Sequence, residues 1–183
     1  MQDMPQRIHA PILSPKAPKY FHTTIGVDPS SVKIALTITS PAGEDFQVWR
    51  LPKSAGKIEE CGYAYFMMTS LLHVFPSAAV FLEAPVSVGG RGSVRALLPQ
   101  AQVGGAIMAA CRGTPLTLVQ NTKWKAKVFG MGNASKQFIT SRMETRWPTA
   151  YKAAITKRGK IDQDVIDASA INIYGRLIIK DGV

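Results

Sequence analysis

Carboxylates are scarce in this chain. Its 183 residues hold 12 Asp plus Glu against 22 Lys plus Arg, a formal net charge of +10. Such a surface repels acidic ligands and attracts polyanions, so nucleic acid is the first partner to consider. Cysteine is nearly absent as well. Cys61 and Cys111 lie far apart among apolar neighbours with no CxxC spacing, which argues against a disulfide framework and a structural zinc site. Both thiols are expected in the core of a protein from a reducing compartment. No apolar run approaches the ~20 residues of a membrane span, and residues 1–19 show no apolar stretch of the kind a secretion signal carries. A cytoplasmic protein is the expectation. His9, His22 and His73 are scattered and form no catalytic pattern. Gly130 and Gly132 are followed by no Lys-Ser phosphate-loop ending, and the chain is too short for two lobes closing on a nucleotide, so no nucleotide cofactor is expected. At 46% hydrophobic residues, however, it has ample material for one core.

Residues 1–22 contain Pro5, Pro11, Pro15 and Pro18 and read as a flexible or surface-draped arm, with 23–183 as the folded domain. From Thr23 the sequence predicts a strand to Val27, a turn at DPSS, a second β-branched strand, and a third over Phe46–Leu51 after a turn at 41–44. Ser54 then reads as the cap of a helix reaching Phe75, with Ile58, Cys61, Tyr65, Met68, Leu72 and Phe75 as its core stripe. AAVFLEAP reads as a buried central parallel strand. A helix follows over 94–111, irregular near Pro99, with Gly104 and Gly105 allowing close approach, and then a strand over 116–119. Residues 122–147 predict two helical pieces around FGMGNAS, and a last helix covers about 164–178. Strands in series followed by helix–strand alternation imply one mixed α/β domain with helices on both faces.

Four of the acids occupy unusual places. Asp28 ends the first strand, Glu83 ends the apolar strand, and Asp164 and Asp167 share one face of the last helix at i,i+3. Each alone has a structural explanation: Asp28 could cap a turn, Glu83 could pair with Arg91 or Arg95, and Asp164 could be an N-cap. Together they suggest convergence beyond the C-terminal strand ends, where ligands sit in open α/β sheets. An all-carboxylate set without His or Cys suits hard ions, Mg²⁺ or Mn²⁺. Two such ions, ~4 Å apart, serve phosphodiester cleavage.

In order along residues 23–178, IGVDPSS, FLEAP, QAQVGGAIMAA, KAKVFGMGNASK and DVIDASAI resemble the RuvC family of Holliday-junction resolvases, endonucleases of the ribonuclease H-like superfamily. The resemblance implies a ribonuclease H-like fold with a mixed five-stranded sheet and helices on both faces. It also implies Asp28, Glu83, Asp164 and Asp167 as catalytic residues binding two Mg²⁺ ions, with Mn²⁺ able to substitute. Gly130, Gly132, Ala134 and Lys136 fall on the family's G-x-G-x-A-x-K segment, making Lys136 catalytic at the scissile phosphate. The implied activity is paired symmetric nicking of four-way DNA junctions by a homodimer, leaving 5′-phosphate and 3′-hydroxyl ends. After Glu83 the chain departs from the family pattern, reading APVSVGGRG over 84–92, and the arm at 1–22 is additional. Both point to a phage- or virus-type member, acting in the host cytoplasm and on a broader range of branched DNA. Arg91, Arg95, Lys123, Lys125, Lys127, Lys136 and Arg142 are the expected DNA contacts, within a basic series that continues through Lys160. Trp124 and Phe129 read as core or as wedges into the junction. Because all four acids are present, an inactive junction-binding protein is the weaker alternative.

Overall fold

The computed structural model describes residues 23–53, 56–85 and 94–182. The arm at 1–22, the expected Ser54 cap and Arg91 lie outside that range. Strands β1 (Thr23–Pro29), β2 (Lys33–Ser40) and β3 (Gly43–Arg50) form an antiparallel meander. The turn into β3 is tighter than predicted: Ser40 pairs with Gly43, leaving only Pro41 and Ala42 between strands, and Gly43 takes φ +125°. β4 (Ala78–Glu83) pairs parallel with β1, and β5 (Leu116–Val119) parallel with β4. The sheet order is β3-β2-β1-β4-β5, the mixed five-stranded α/β sheet expected from the sequence.

Helices cover both faces. On one, α1 (Lys57–Val74) and α2 (Val94–Ala110) bury Met68, Leu72, Val103 and Ile107 against Ile25, Val27 and Val80. α1 starts at Gly56, whose backbone N–H donates to the Glu59 carboxylate at 3.2 Å. Its core face is rotated from the predicted stripe. Ala64 and Leu71 are buried beside Met68 and Leu72, whereas Ile58 is 88% exposed and Tyr65 47%. Nor do Gly104 and Gly105 serve close packing here, since a Cβ at either would meet nothing within 4 Å. Cys111 is buried as expected, and Cys61 only half-buried.

On the other face lie α3 (Asn121–Phe129), α4 (Lys136–Arg146), α5 (Pro148–Ala153) and α6 (Gln163–Lys180). The short α5 was not predicted; Pro148, tolerated in a first helical turn, opens it. Trp124 is fully buried and Phe129 nearly so, with Phe129 edge-on to both Trp124 and Trp147, so both are core residues. Among the described residues, no helix is long and apolar enough to cross a membrane.

α6 lies directly on the sheet because β1 and α6 each supply a glycine. A Cβ on Gly26 would stand 2.3 Å from the Ala168 carbonyl oxygen, and one on Gly175 2.3 Å from the Phe81 ring. Asn172, buried in α6, fixes the register. Its amide donates to the carbonyls of Thr24 (2.8 Å) and Thr37 (2.9 Å), and its Oδ1 accepts from the Thr24 and Thr39 hydroxyls. Among the described residues no buried side-chain polar atom lacks a partner, so the hydrogen bonds of this network offset its desolvation cost and orient α6. The first turns of α6 therefore sit above the C-terminal end of β1.

Candidate active site

The parallel register aligns Val27 with Leu82, so the next residues, Asp28 and Glu83, end adjacent strands side by side. Both are buried. Burial raises the Asp28 pKa well above its ordinary 3.8, and the charges of Glu83, Asp167 and Asp164 push it further. The four acids singled out from the sequence thus act on one another electrostatically.

Each of the other three is also drawn toward a partner of its own. Glu83 Oε1 accepts from Asn121 Nδ2 at 2.8 Å and from the indole N–H of Trp124 at 3.1 Å. Asp167 accepts from Gln163 Nε2 at 2.9 Å. Asp164 pairs with Lys33 Nζ at 3.2 Å. These tethers agree with a further observation: among the described residues, no group of three or more His, Cys, Asp or Glu stands ready to enclose a metal ion. Asp28 and Glu83 lie side by side at adjacent strand ends, and all four acids share one field. In chemistry the set still fits a hard divalent cation, being all oxygen and short of positive charge at its buried centre.

Asp164 is not the N-cap of α6. That position belongs to Asp162, whose Oδ1 accepts from the Asp164 backbone N–H at 3.2 Å and from Lys33 Nζ at 2.6 Å. Lys33, on β2, therefore bridges two acids at the helix start. Burial works to lower its pKa, but the hydrogen bond to Asp162 and the Asp164 charge outweigh it and leave the pKa raised. Lys33, Asn121 and Asp162 had no motif to mark them. Lys33 falls two residues past the expected DPSS turn, but its carboxylate partners are 129 residues or more away in sequence.

Asp167 is pushed up to about 6, by burial first and by the Glu83 charge, against the lowering effects of Gln163, Lys125 and Lys136. Two of the expected DNA-contacting lysines therefore lie within electrostatic reach of the acids. Lys136 is the first residue of α4, held by a Ser135 cap that accepts from the Phe138 N–H at 3.2 Å. It follows a turn in which Gly130 takes φ +81° and Gly132 lies close to the Thr122 carbonyl. Lys125 rests over the Trp124 ring at 5.3 Å. Other expected contacts are placed differently. Lys123 is exposed on α3, Lys127 pairs with Asp181 at the far end of α6 (2.8 Å), and Arg142 stacks over Phe138 at 5.2 Å. Arg95 is in the first turn of α2, with its side chain outside the described part.

No family model and no curated protein matches the chain. Solved structures do. The Thermus thermophilus RuvC structure aligns at 18% identity and TM-score 0.67, covering 87% of this chain and 96% of that one. T. thermophilus RuvC in complex with a Holliday junction substrate aligns at 16% identity and the same TM-score and coverage. The yeast mitochondrial Holliday junction resolvase aligns at 11% identity and TM-score 0.59, covering 92% and 82% of the two chains. The likeness lies in the fold: a ribonuclease H-like α/β architecture shared over nearly the whole described domain.

Proposed function

We propose that this chain, folded as the junction resolvases are, is a metal-dependent, structure-specific DNA endonuclease that nicks four-way junctions in pairs and leaves 5′-phosphate and 3′-hydroxyl ends. The observation that carries the reading is the meeting of Asp28 and Glu83 at adjacent parallel strand ends beneath the acids of α6, in a protein of net charge +10. Asp28, Glu83, Asp164 and Asp167 would hold Mg²⁺ or Mn²⁺. When bound, such ions activate water and offset charge on the leaving oxygen. The chain's own residues do the rest. Asn121 and Trp124 fix the orientation of Glu83, and Gln163 that of Asp167. Lys136 places a positive charge beside the acids, where a scissile phosphate would need it. Two symmetric nicks require two such sites related by a two-fold axis, hence a homodimer.

Asp28→Asn removes a ligand charge without adding bulk and abolishes Mg²⁺-dependent cleavage while leaving junction binding near wild type. Glu83→Gln, Asp164→Asn and Asp167→Asn behave alike. The test is cleavage of a synthetic four-way junction, a flap, a fork and a linear duplex side by side. Undiminished cutting by Asp28→Asn would remove Asp28 from the mechanism. The departure over 84–92 favours a second reading, a nuclease of broader branched-DNA range, and equal cleavage of flap, fork and junction would select it.

A further inference from the structure

Between α5 and α6 the chain makes a tight, basic turn. Ile155 and Ile161 form an antiparallel bridge around the sequence TKRGK. Inside it the Thr156 N–H donates to the Lys160 carbonyl (2.8 Å), the Gly159 N–H to the Thr156 carbonyl (2.9 Å), and the Lys160 N–H to the Thr156 hydroxyl (3.1 Å). Gly159 takes φ +72°, which a side chain would strain. One residue beyond the bridge, the Asp162 N–H donates to the Ala154 carbonyl at 2.8 Å, and Asp162 itself caps α6 and holds Lys33. The turn is thus built onto the end of α6 that carries Asp164 and Asp167.

Lys157, Arg158 and Lys160 are all exposed on this turn. Lys33, Lys57, Lys127 and Arg176 pair with carboxylates, whereas none of the three turn cations is in an ion pair among the described residues. Three like charges within four residues repel one another, yet the backbone hydrogen bonds fix them together. A polyanion relieves that repulsion and an isolated small anion does so less fully. We propose that the 156–160 turn is a phosphate-backbone clamp that grips the DNA strand beside the cut, independent of base sequence. The inference rests on the nuclease reading above. Lys160 lies four positions before Asp164, a span of at most about 15 Å between their Cα atoms. At 3.4 Å of helix axis per nucleotide, the clamp reaches phosphates within about four nucleotides of the cleaved one.

The test compares four full-length proteins on one junction, by binding across a salt series in Ca²⁺ and by cleavage in Mg²⁺. They are wild type, Lys157→Gln/Arg158→Gln/Lys160→Gln, Gly159→Val, and Arg112→Gln/Lys180→Gln, the last removing two exposed charges outside the turn, one just after α2 and one at the C-terminal end of α6. The triple variant binds roughly ten- to a hundredfold more weakly, and its salt slope is smaller by about 2–3. Gly159→Val keeps every charge but still binds more weakly, because the presentation is lost. Neutral methylphosphonates within about four nucleotides of the cut weaken wild type and leave the triple variant unaffected. A triple variant whose slope falls no more per charge than that of the Arg112/Lys180 pair overturns the clamp, as do methylphosphonates that wild type ignores. If wild type itself neither binds nor cuts branched DNA, it is the nuclease reading that fails.

Discussion

Protonation of Asp167 gives a residue-scale handle on the site. Its carboxyl, pushed up to about 6 from an ordinary 3.8, keeps a proton in the folded chain that the unfolded chain releases. The stabilisation linked to that proton is complete below about pH 4 and is lost as pH rises through about 6. Asp28 shifts in the same direction for the same reasons, burial and like charge. At neutral pH the acids are therefore a cost to folding, as the proposed cation-binding role would require. Asp167→Asn removes part of that cost. Without divalent ions the variant is more stable than wild type at pH 7.5 by about 1–2 kcal/mol, allowing for the partial exposure of the side chain, and the advantage vanishes below pH 4. Urea unfolding at the two pH values, with chelator present, makes the comparison. An advantage of equal size at both would show that the carboxyl does not titrate as described. Added Mg²⁺ stabilises wild type and narrows the gap.

At the scale of elements, the docking of α6 on β1 decides whether the four acids meet. A Cβ on Gly26 would collide with backbone, 2.3 Å from the Ala168 oxygen and 2.5 Å from the Asn172 nitrogen. On Gly175 the obstacle is the Phe81 ring, a side chain that can shift. Gly26→Ala therefore costs more than Gly175→Ala, by at least ~1–2 kcal/mol in chemical unfolding, and cleavage falls by more than the lost stability accounts for. Equal costs would mean that α6 yields as easily at its backbone contact as at the ring. This dependence also marks how far the sequence is legible. Asp28 and Glu83 can be found by reading because each ends a strand, and parallel strands with their ends in register bring them together. Asp164 and Asp167 share a helix face by spacing alone. Gly26, Asn172, Lys33 and Asp162 could not be found that way, since their partners are fixed by how α6 lies across the sheet. The core face of α1 escapes the sequence for a related reason. Tyr63 to Met68 is a continuous apolar and aromatic run, so periodicity leaves the face undecided and only packing against β1 and β4 selects Ala64, Met68, Leu71 and Leu72.

At the scale of the whole molecule, that rotation of α1 decides which apolar side chains remain outside for a second copy to cover. Leu71 is buried, and Tyr63 and Met67 pack partly against the core, so a charge at Met67 would disturb folding as much as assembly. Among the described residues, the large apolar side chains left outside are Ile58 at 88% exposure, Val74 at 68%, Phe66 at 65% and Tyr65 at 47% on α1, with Leu98 and Met108 on the adjoining α2. Gly104 and Gly105 keep open space beside their Cα atoms on the same layer. A chain exposing large apolar groups on two packed helices gains by covering them, and a two-fold axis through this layer would leave both acid sites free for the two opposed strands of a junction. Phe66→Glu places like charges against each other across such an axis, with no change to the core. Light scattering at micromolar concentration is expected to give twice the 19.9 kDa chain mass for wild type and the chain mass for Phe66→Glu. The variant keeps wild-type thermal stability in its monomeric form to within ~1 kcal/mol, as a surface change should. On a four-way junction it is expected to make single, uncoupled nicks, whereas wild type, if it acts as proposed, nicks both strands within the lifetime of one complex. A wild-type chain that stays at 19.9 kDa with and without junction DNA, yet still cuts in pairs, would require the second nick to come from rebinding, and the apolar face of α1 and α2 would then need another occupant.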